Sequence, residues 1–225
     1  MEDLGRSHIR RTVGGPYAAY VDRLDAGRIL AEWIDPDPDP GAIVLAIPRG
    51  GIPVGRPLAD ALGCGLLPVL VRKLPIPTSP EMGFGAITVD GTMTLNRPVV
   101  EAWGLDASTI ERIAGDTRRE VERRSRAYPG GWPLPSLKDR HVWVTDDGLA
   151  TGYSAVAAAR MLRARGAERV SLVVPCGPLG SVERLVREVD EVWCAIAQPG
   201  GPFAVASFYR DFHDLSDAEV IALLG

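Results

Sequence analysis

Five short apolar runs constrain the fold of this chain more than any other feature of its sequence. The runs cover residues 42–47, 66–71, 141–145, 170–175 and 192–197. Their hydrophobicity is continuous rather than alternating, as is typical of strands that are covered on both faces. Helical patterns separate them, at residues 54–62, 154–164 and 181–189. Because strands and helices alternate along the chain, we predict an α/β fold with a parallel sheet and helices on both faces.

Three further segments lie between the second and third runs. Residues 86–95 hold Asp90-Gly91 between two β-prone stretches, a pattern that predicts a β-hairpin. The preceding residues 74–85 are rich in proline and glycine, and we interpret them as a loop. A long charged helix is expected at residues 109–128, where its charges indicate a solvated face.

Two proline-rich segments divide the chain into three parts. Residues 36–40 alternate proline with aspartate and cannot continue the helix that we predict at residues 22–34. A second boundary lies at residues 198–202. The predicted parts are an N-terminal cap segment at residues 1–40, a core at residues 41–198 and a C-terminal cap segment at residues 199–225. We expect the two flanks to form a small cap over the carboxyl edge of the sheet, where ligands bind in open α/β folds.

Charge and cysteine content exclude several classes of protein. A net charge of −4 argues against binding nucleic acid by a general attraction to phosphates. No apolar run approaches the ~20 residues needed to cross a bilayer, and the N-terminus lacks the apolar stretch of a signal peptide. The three cysteines, Cys64, Cys176 and Cys194, are far apart and show no CxxC spacing, so neither a disulfide framework nor a zinc cluster is expected. We therefore expect a cytoplasmic protein that binds neither nucleic acid nor a membrane.

The residues after the third apolar run carry most of the functional information. Asp146 and Asp147 end the predicted strand, and a turn of small residues then opens a helix. The unpaired amides at a helix start form a site for phosphate, and the hydroxyls of Thr151 and Ser154 add donors. Adjacent carboxylates beside a phosphate are unfavourable unless they meet hydroxyls or a cation. A ribose 5-phosphate meets both conditions, because its phosphate would lie on the turn and its diol would face the acids.

Residues 146–154 resemble the motif with which type I phosphoribosyltransferases bind phosphoribosyl pyrophosphate (PRPP). The resemblance implies that Asp146 and Asp147 bind the ribose hydroxyls and that the following loop binds the 5-phosphate. The loop residues with this implied role are Gly148, Leu149, Ala150, Thr151, Gly152, Tyr153 and Ser154. It also implies Mg²⁺ as the cofactor, with Asp146 and Asp147 as its ligands, either directly or through water.

A second part of the resemblance lies at the end of the first run. Arg49, Gly50 and Gly51 stand where the family has its pyrophosphate-binding loop, and Arg49 has the planar charge suited to phosphate. Arg72 and Lys73, which follow the next run, are similar to basic residues that meet PRPP. The family also has a flexible loop at residues 74–85 that closes over the reaction, and Glu81 is its only acid here. The implied catalytic residues are Arg49, Lys73 and Glu81, with Gly50, Gly51 and Arg72 as further PRPP ligands.

Two departures from the family pattern limit what the resemblance implies. Tyr153 stands where many members have a small residue, so its side chain either points away from the pocket or stacks on the ligand. Ala150 stands where some purine-salvage members have an aspartate that meets the base. The whole chain, including residues 208–212, resembles a poorly characterised branch whose acceptor is undefined.

The resemblance predicts the first of the following three functions and leaves the other two as alternatives. The first is an enzyme, a homodimer by analogy with the family, that transfers the phosphoribosyl group to a nitrogenous acceptor such as a nucleobase or related amine. The second is a PRPP- or nucleotide-sensing module that catalyses nothing. The third is a phosphosugar hydrolase.

Overall fold

A computed structural model describes residues 7–14 and 18–224, except for the side chains of residues 80 and 81. Its centre is a six-stranded sheet in the order β1-β9-β8-β7-β2-β3, in which every neighbouring pair is parallel. These strands are β1 (Ser7–Thr12), β2 (Ile43–Ala46), β3 (Gly65–Pro68), β7 (His141–Thr145), β8 (Arg169–Pro178) and β9 (Glu191–Gln198). The predicted parallel α/β fold is confirmed. The edge strand β1 was not predicted, because its sequence is mostly polar.

Helices pack on both faces of this sheet and on the second sheet described below. They are α1 (Arg23–Ile34), α2 (Gly51–Leu62), α3 (Arg97–Ala102), α4 (Ala107–Ser125), α5 (Tyr153–Ala164), α6 (Leu179–Leu185) and α7 (Asp217–Leu224), with a 3-10 turn at Val205–Phe208. Ile43 and Leu45 of β2 face one buried cluster, whereas Val44 and Ala46 face the other. The strand is therefore buried on both sides, which explains its continuous hydrophobicity. Among the described helices, none has the length and hydrophobicity required to cross a membrane.

A second, antiparallel sheet stands beside the first. It contains β4 (Val71–Ile76), β5 (Ser79–Thr88) and β6 (Met93–Leu95). The hairpin predicted at residues 86–95 is confirmed as β5 and β6, and Gly91 in its turn has a positive φ of 92°. Residues 74–85 are not a loop, because they form the paired ends of β4 and β5. Leu74, Ile76 and Phe84 are buried there against α4, and the prolines and glycines between them hid this pattern.

Residues 19–21 and 208–211, which are far apart in sequence, meet over the carboxyl edge of the parallel sheet. Tyr20 and Tyr209 form a parallel β-bridge. The amide of Tyr20 donates to the carbonyl of Phe208 at 3.1 Å, and the amide of Arg210 donates to the carbonyl of Tyr20 at 2.9 Å. We call this the cap pairing, formed by residues 19–21 and 208–211. The cap pairing brings the start of α1 beside the C-terminal segment. The division of the chain into a core and two cap segments stays a prediction.

Candidate active site

The two predicted ligand loops lie side by side because they follow neighbouring strands. β2 and β7 are paired in the sheet, so the residues after each strand meet at the carboxyl edge. The amide of Ile47 donates to the carbonyl of Thr145 at 2.8 Å, and the Thr145 hydroxyl donates to the carbonyl of Gly51 at 2.9 Å. The structure thus brings residues 47–51 into contact with the start of residues 146–154.

Two glycines make this close approach possible. A Cβ at Gly50 would overlap the carboxylate of Asp147, and a Cβ at Gly51 would overlap the carbonyl oxygen of Thr145. The peptide bond between Pro48 and Arg49 is cis. The amide of Gly51 donates to the carbonyl of Ile47 at 2.9 Å, so Gly51 serves the site through close packing rather than as a free amide donor.

Asp147 is held from three sides. Its Oδ2 accepts a hydrogen bond from Nε of Arg23 at 2.8 Å, and the side chains of Arg23 and Asp147 are 9% and 19% exposed. Its carbonyl accepts from the hydroxyl of Tyr209 at 2.6 Å. Gly50 packs against the same carboxylate. Burial raises the pKa of Asp147, while the hydrogen bond and charge of Arg23 act in the opposite direction.

Asp146 has less compensation for its charge. Its Oδ1 accepts a hydrogen bond from the amide of Asp147 at 2.9 Å. Burial raises the pKa of Asp146 well above its ordinary value, and the neighbouring charge of Asp147 raises it further. The more distant Arg23 lowers that pKa only in part. Hydroxyl donors or a cation beside Asp146 would therefore stabilise its ionised form.

In the loop at residues 148–154, two carbonyls point toward α6, which turns the amides of the same peptides the other way. The carbonyl of Ala150 accepts from the Ser181 hydroxyl at 3.0 Å, and the carbonyl of Thr151 accepts from Nη1 of Arg184 at 2.6 Å. Both donors belong to α6. Since the N–H and C=O of a trans peptide point in opposite directions, the amides of Thr151 and Gly152 face away from α6. Together with the first amides of α5, they form a group of donors suited to an anion.

Glycine is required at two positions of this loop. Gly152, which precedes α5, has a positive φ of 77°. A Cβ at Gly148 would come within 2.7 Å of the Val205 side chain and 3.0 Å of the Cys176 sulfur. Leu149, between them, is 2% exposed and donates its amide to the carbonyl of Cys176 at 2.8 Å. The loop is therefore anchored to β8 through its apolar side.

The remaining side chains of the loop differ in exposure. Ala150 and Thr151 are exposed, whereas Ser154 is half-buried at the start of α5. The guanidinium of Arg184 lies over the ring of Tyr153, 5.3 Å from its centre. This contact with α6 favours the first of the two orientations considered for Tyr153, in which the ring turns away from the acids.

The predicted basic residues are paired elsewhere. Nη1 of Arg49 lies 3.9 Å from the carboxylate of Asp217, at the start of α7. Nη1 of Arg72 lies 3.0 Å from Oε1 of Glu120 in α4. Lys73 is exposed, and its aliphatic stem packs against Gly83. The side chain of Glu81 lies outside the described residues. The structure thus brings the acids and the two loops together, but the side chains of Arg49 and Arg72 do not contact Asp146 or Asp147 directly.

Arg23 and Tyr209 contact Asp147, although no sequence pattern assigned them to the acid pair. Arg23 lies 124 positions from Asp147 and Tyr209 lies 62 positions from it. No local spacing could reveal such contacts. The one available signal was the concentration of aromatic and charged residues at 208–212, within the predicted C-terminal cap segment.

The acid pair has the chemistry of a partial magnesium site. Mg²⁺ is commonly bound through one or two carboxylates together with water and substrate phosphates. Asp146 and Asp147 supply two such carboxylates, and the raised pKa of Asp146 reflects a charge in need of compensation. Within residues 7–14 and 18–224, no three His, Cys, Asp or Glu side chains form a metal cluster. The two aspartates therefore fit a cation whose other ligands come from substrate and water.

Comparisons with known proteins agree with this geometry. The family model described as a phosphoribosyl transferase domain matches residues 17–203. Proteins described as putative phosphoribosyl transferases in two strains of Mycobacterium tuberculosis, CDC 1551 and H37Rv, are each 41% identical over 205 residues. The match covers 91% of this chain and 46% of each relative, so the chain spans about half the length of these relatives.

One solved structure matches this chain over nearly the whole length of both proteins. The crystal structure of TT1426 from Thermus thermophilus is 36% identical and superimposes with a TM-score of 0.73. The match covers 91% of this chain and 97% of that chain.

Proposed function

The chain belongs to the phosphoribosyl transferase domain family, and on this premise we propose that it transfers the 5-phosphoribosyl group of PRPP to a nitrogenous acceptor. Pyrophosphate is the other product. The observation that carries the proposal is the junction of β2 and β7, where Asp147 and the poorly compensated Asp146 lie beside a loop with two amides that face away from α6. This pairing of groups suits a sugar diol next to a phosphate.

The proposed binding mode assigns one group of PRPP to each part of the site. The ribose hydroxyls donate to Asp146 and Asp147. The 5-phosphate accepts from the amides of the loop at residues 150–154, and Thr151 and Ser154 add hydroxyl donors. Gly50 packs against Asp147, and its amide, with Arg49, would meet the pyrophosphate.

The reaction breaks the bond between the anomeric carbon and the pyrophosphate oxygen while the acceptor nitrogen forms a bond to that carbon. Positive charge develops on the ribose, so the nearby carboxylates of Asp146 and Asp147 stabilise the transition state electrostatically. When bound, Mg²⁺ supplies positive charge that orients and neutralises the pyrophosphate, and Asp146 and Asp147 would hold it directly or through water.

Arg49 has to leave Asp217 before it can meet the pyrophosphate. Its side chain is 37% exposed, that of Asp217 is 58% exposed, and the two charges are 3.9 Å apart. Exposed pairs of this kind contribute little to stability, so pyrophosphate would compete readily for Arg49. We propose the same release for Arg72 from Glu120, and a role for Lys73 and Glu81 when the β4–β5 hairpin closes over PRPP.

Two other functions would use the same site. A PRPP- or nucleotide-sensing module would bind PRPP without turnover, and alanine at position 150 is compatible with it because no base-binding acid stands there. A phosphosugar hydrolase would transfer the sugar to water. We favour the transferase because Arg49 and the hairpin with Arg72 and Lys73 provide positive charge for a leaving pyrophosphate. The proposed homodimeric state follows from the family resemblance alone, whereas the proposed cytoplasmic location follows from the hydrophobicity pattern of the sequence.

Pyrophosphate release separates the three functions. The protein is incubated with PRPP and Mg²⁺, either alone or with a panel of purines, pyrimidines and small amines. A transferase releases pyrophosphate only with its acceptor, a hydrolase releases it without one, and a sensor releases none. Release that does not depend on any acceptor, or no release with PRPP bound, would contradict the proposed transfer.

A further inference from the structure

We propose that Arg23 is a positioning residue for ribose recognition, because it fixes the carboxylate of Asp147 through one oxygen and leaves the other for the sugar. This inference rests on the proposed binding of PRPP and adds a residue from the N-terminal segment to the site. Arg23 touches Asp147 rather than the proposed substrate, so its effect is exerted through that carboxylate.

Arg23 is held in place by three contacts. Nε donates to Oδ2 of Asp147 at 2.8 Å, and Nη1 donates to the carbonyl of His213 at 2.9 Å. The guanidinium lies 3.7 Å from the centre of the Phe212 ring. The residue is 8% exposed. Because these contacts use different edges and a face of one planar group, they allow Arg23 a single orientation.

The contacts of Asp147 are one-sided. Arg23 donates to Oδ2, and a Cβ at Gly50 would overlap the same oxygen. Among the described residues, Nε of Arg23 is the one side-chain donor within hydrogen-bond distance of this carboxylate, and it meets Oδ2 rather than Oδ1. Rotation of the carboxylate would break the bond to Arg23, so Oδ1 stays in one position and can accept a ribose hydroxyl.

The contact between Arg23 and Asp147 depends on the cap pairing, which joins two segments that are far apart in sequence. Residues 19–21 pair with residues 208–211 immediately before α1, and Arg23 is the first residue of that helix. The Tyr209 hydroxyl donates to the carbonyl of Asp147 at 2.6 Å, so the C-terminal segment fixes the backbone of the same residue. Docking of the cap therefore places Arg23 and Asp147 together.

A contribution to folding stability does not explain why Arg23 and Asp147 form a buried ion pair. Removing two charges from water is unfavourable, and apolar side chains of similar volume commonly stabilise a protein equally well or better. The neighbouring Phe212 and Tyr209 show that this part of the cap can be filled by aromatic residues. A carboxylate of Asp147 fixed in one orientation at the edge of the proposed ribose site is what the arginine provides and a hydrophobic residue would not.

The test compares three ligands on two variants of the full chain. Isothermal titration calorimetry measures binding of PRPP, ribose 5-phosphate and inorganic pyrophosphate, each with Mg²⁺, to the wild type, Arg23→Gln and Arg23→Lys. In Arg23→Gln, the affinity for PRPP and for ribose 5-phosphate falls by the same factor, roughly tenfold or more, because a charge-assisted contact to Asp147 is lost. The affinity for pyrophosphate is unchanged. Arg23→Lys recovers part of the loss because it retains the charge.

Tyr20→Phe is the matched control for damage to the cap. The Tyr20 hydroxyl is buried like that of Tyr209, but it donates to the carbonyl of Pro175 at 2.9 Å rather than to Asp147. This variant binds all three ligands like the wild type. A lower melting temperature in Arg23→Gln with unchanged ribose 5-phosphate binding would overturn the positioning role, as would an equal loss for all three ligands. If Arg23→Gln does not fold, the same criteria apply to Arg23→Lys.

The outcome for the wild type separates the two proposals. Wild-type protein that binds neither PRPP nor ribose 5-phosphate would remove the proposed function and the role of Arg23 with it. Wild-type protein that binds both, with Arg23 variants that bind them equally well, would remove only the role of Arg23.

Discussion

Polar and charged side chains lie at both ends of β7, but they differ in how many of their hydrogen bonds and charges are paired within the protein. At the amino end, Nε2 of His141 lies 2.8 Å from the hydroxyl of Ser171, which donates to Oε2 of Glu191 at 3.2 Å. Glu191 also pairs with Arg169 at 2.5 Å. At the carboxyl end, Asp146 and Asp147 lie side by side with Arg23 as their shared cation.

The difference indicates at which end of β7 the protein leaves polar groups available to a ligand. At the amino end each of these polar groups has a protein partner, so a ligand would gain little there. At the carboxyl end burial raises the pKa of both carboxylates, and the carbonyls of the next loop face away from the site toward α6. A ligand can bind to hydrogen-bond donors and acceptors that the protein itself leaves without partners.

The largest expected effect comes from removing both acids. Asp146→Asn combined with Asp147→Asn lowers PRPP affinity by roughly a hundredfold or more, since two charged hydrogen-bond acceptors are lost. Calorimetry with PRPP and Mg²⁺ measures this. The comparison variant is His141→Gln, which changes the opposite end of the same strand and keeps wild-type affinity. Equal affinity in the double variant and the wild type would exclude the acid pair from PRPP binding.

A smaller loss is expected from crowding the same carboxylate. Gly50→Ala places a methyl group against Asp147, which destabilises the local packing by about 1–3 kcal/mol and displaces the carboxylate. PRPP affinity therefore falls, as measured by calorimetry. Gly65→Ala is the control, because a Cβ at Gly65 meets no atom within 4 Å. If both alanine variants bind PRPP like the wild type, the close approach of the two loops has no role in binding.

The two aspartates should differ in their effect on stability. Without metal, in the presence of a chelator at neutral pH, Asp146→Asn raises the melting temperature by about 2–4 °C, because an uncompensated buried charge is removed. Asp147→Asn lowers the melting temperature, because Arg23 is then left buried without its partner. Differential scanning calorimetry compares them. Equal shifts for the two variants would mean that Arg23 does not distinguish the acids.

The smallest effect concerns the pH dependence of stability at the amino end. Burial lowers the pKa of His141, and the charge of Arg169 lowers it further. The unfolded chain therefore takes up this proton at a higher pH than the folded chain, so folding stability falls as the pH drops through the ordinary histidine range. His141→Gln flattens the fall in urea-unfolding free energy as the pH is lowered from about 7.5 to about 5.5.

His213 is a control of opposite sign. Asp211 and Glu219 raise the pKa of His213, so its folded form holds the proton more tightly. Its contribution is fully present at low pH and is lost as the pH rises through the raised pKa. His213→Gln therefore makes stability fall more steeply toward acid. Identical profiles for the two variants would contradict the proposed titration of His141.

Much of the parallel sheet could be predicted because its strands are buried on both faces. β7 has the predicted bounds, and α5 begins one residue before the predicted helix. Two features escaped the sequence patterns for physical reasons. β1 is a largely polar edge strand without a continuous apolar run, and the composition of residues 74–85 hid the alternate apolar residues of β4 and β5.

The site was predictable only where its residues are adjacent in sequence. Asp146 and Asp147 follow a clear strand and precede a clear helix, so their position at the sheet edge could be inferred. Arg23 and Tyr209 reach the same place through the cap pairing, which depends on contacts between distant segments. Arg49 was correctly placed after β2, but its ion pair with Asp217 depends on where α7 packs.

A crystal structure of the protein with PRPP and Mg²⁺ would decide whether the acid pair and the amide loop bind the sugar phosphate. We expect the 5-phosphate on the amides of residues 150–154, with ribose hydroxyls within hydrogen-bond distance of Asp146 and of Oδ1 of Asp147. A sugar phosphate bound elsewhere, with that loop vacant and Asp147 in contact with Arg23 alone, would show that the proposed site is wrong.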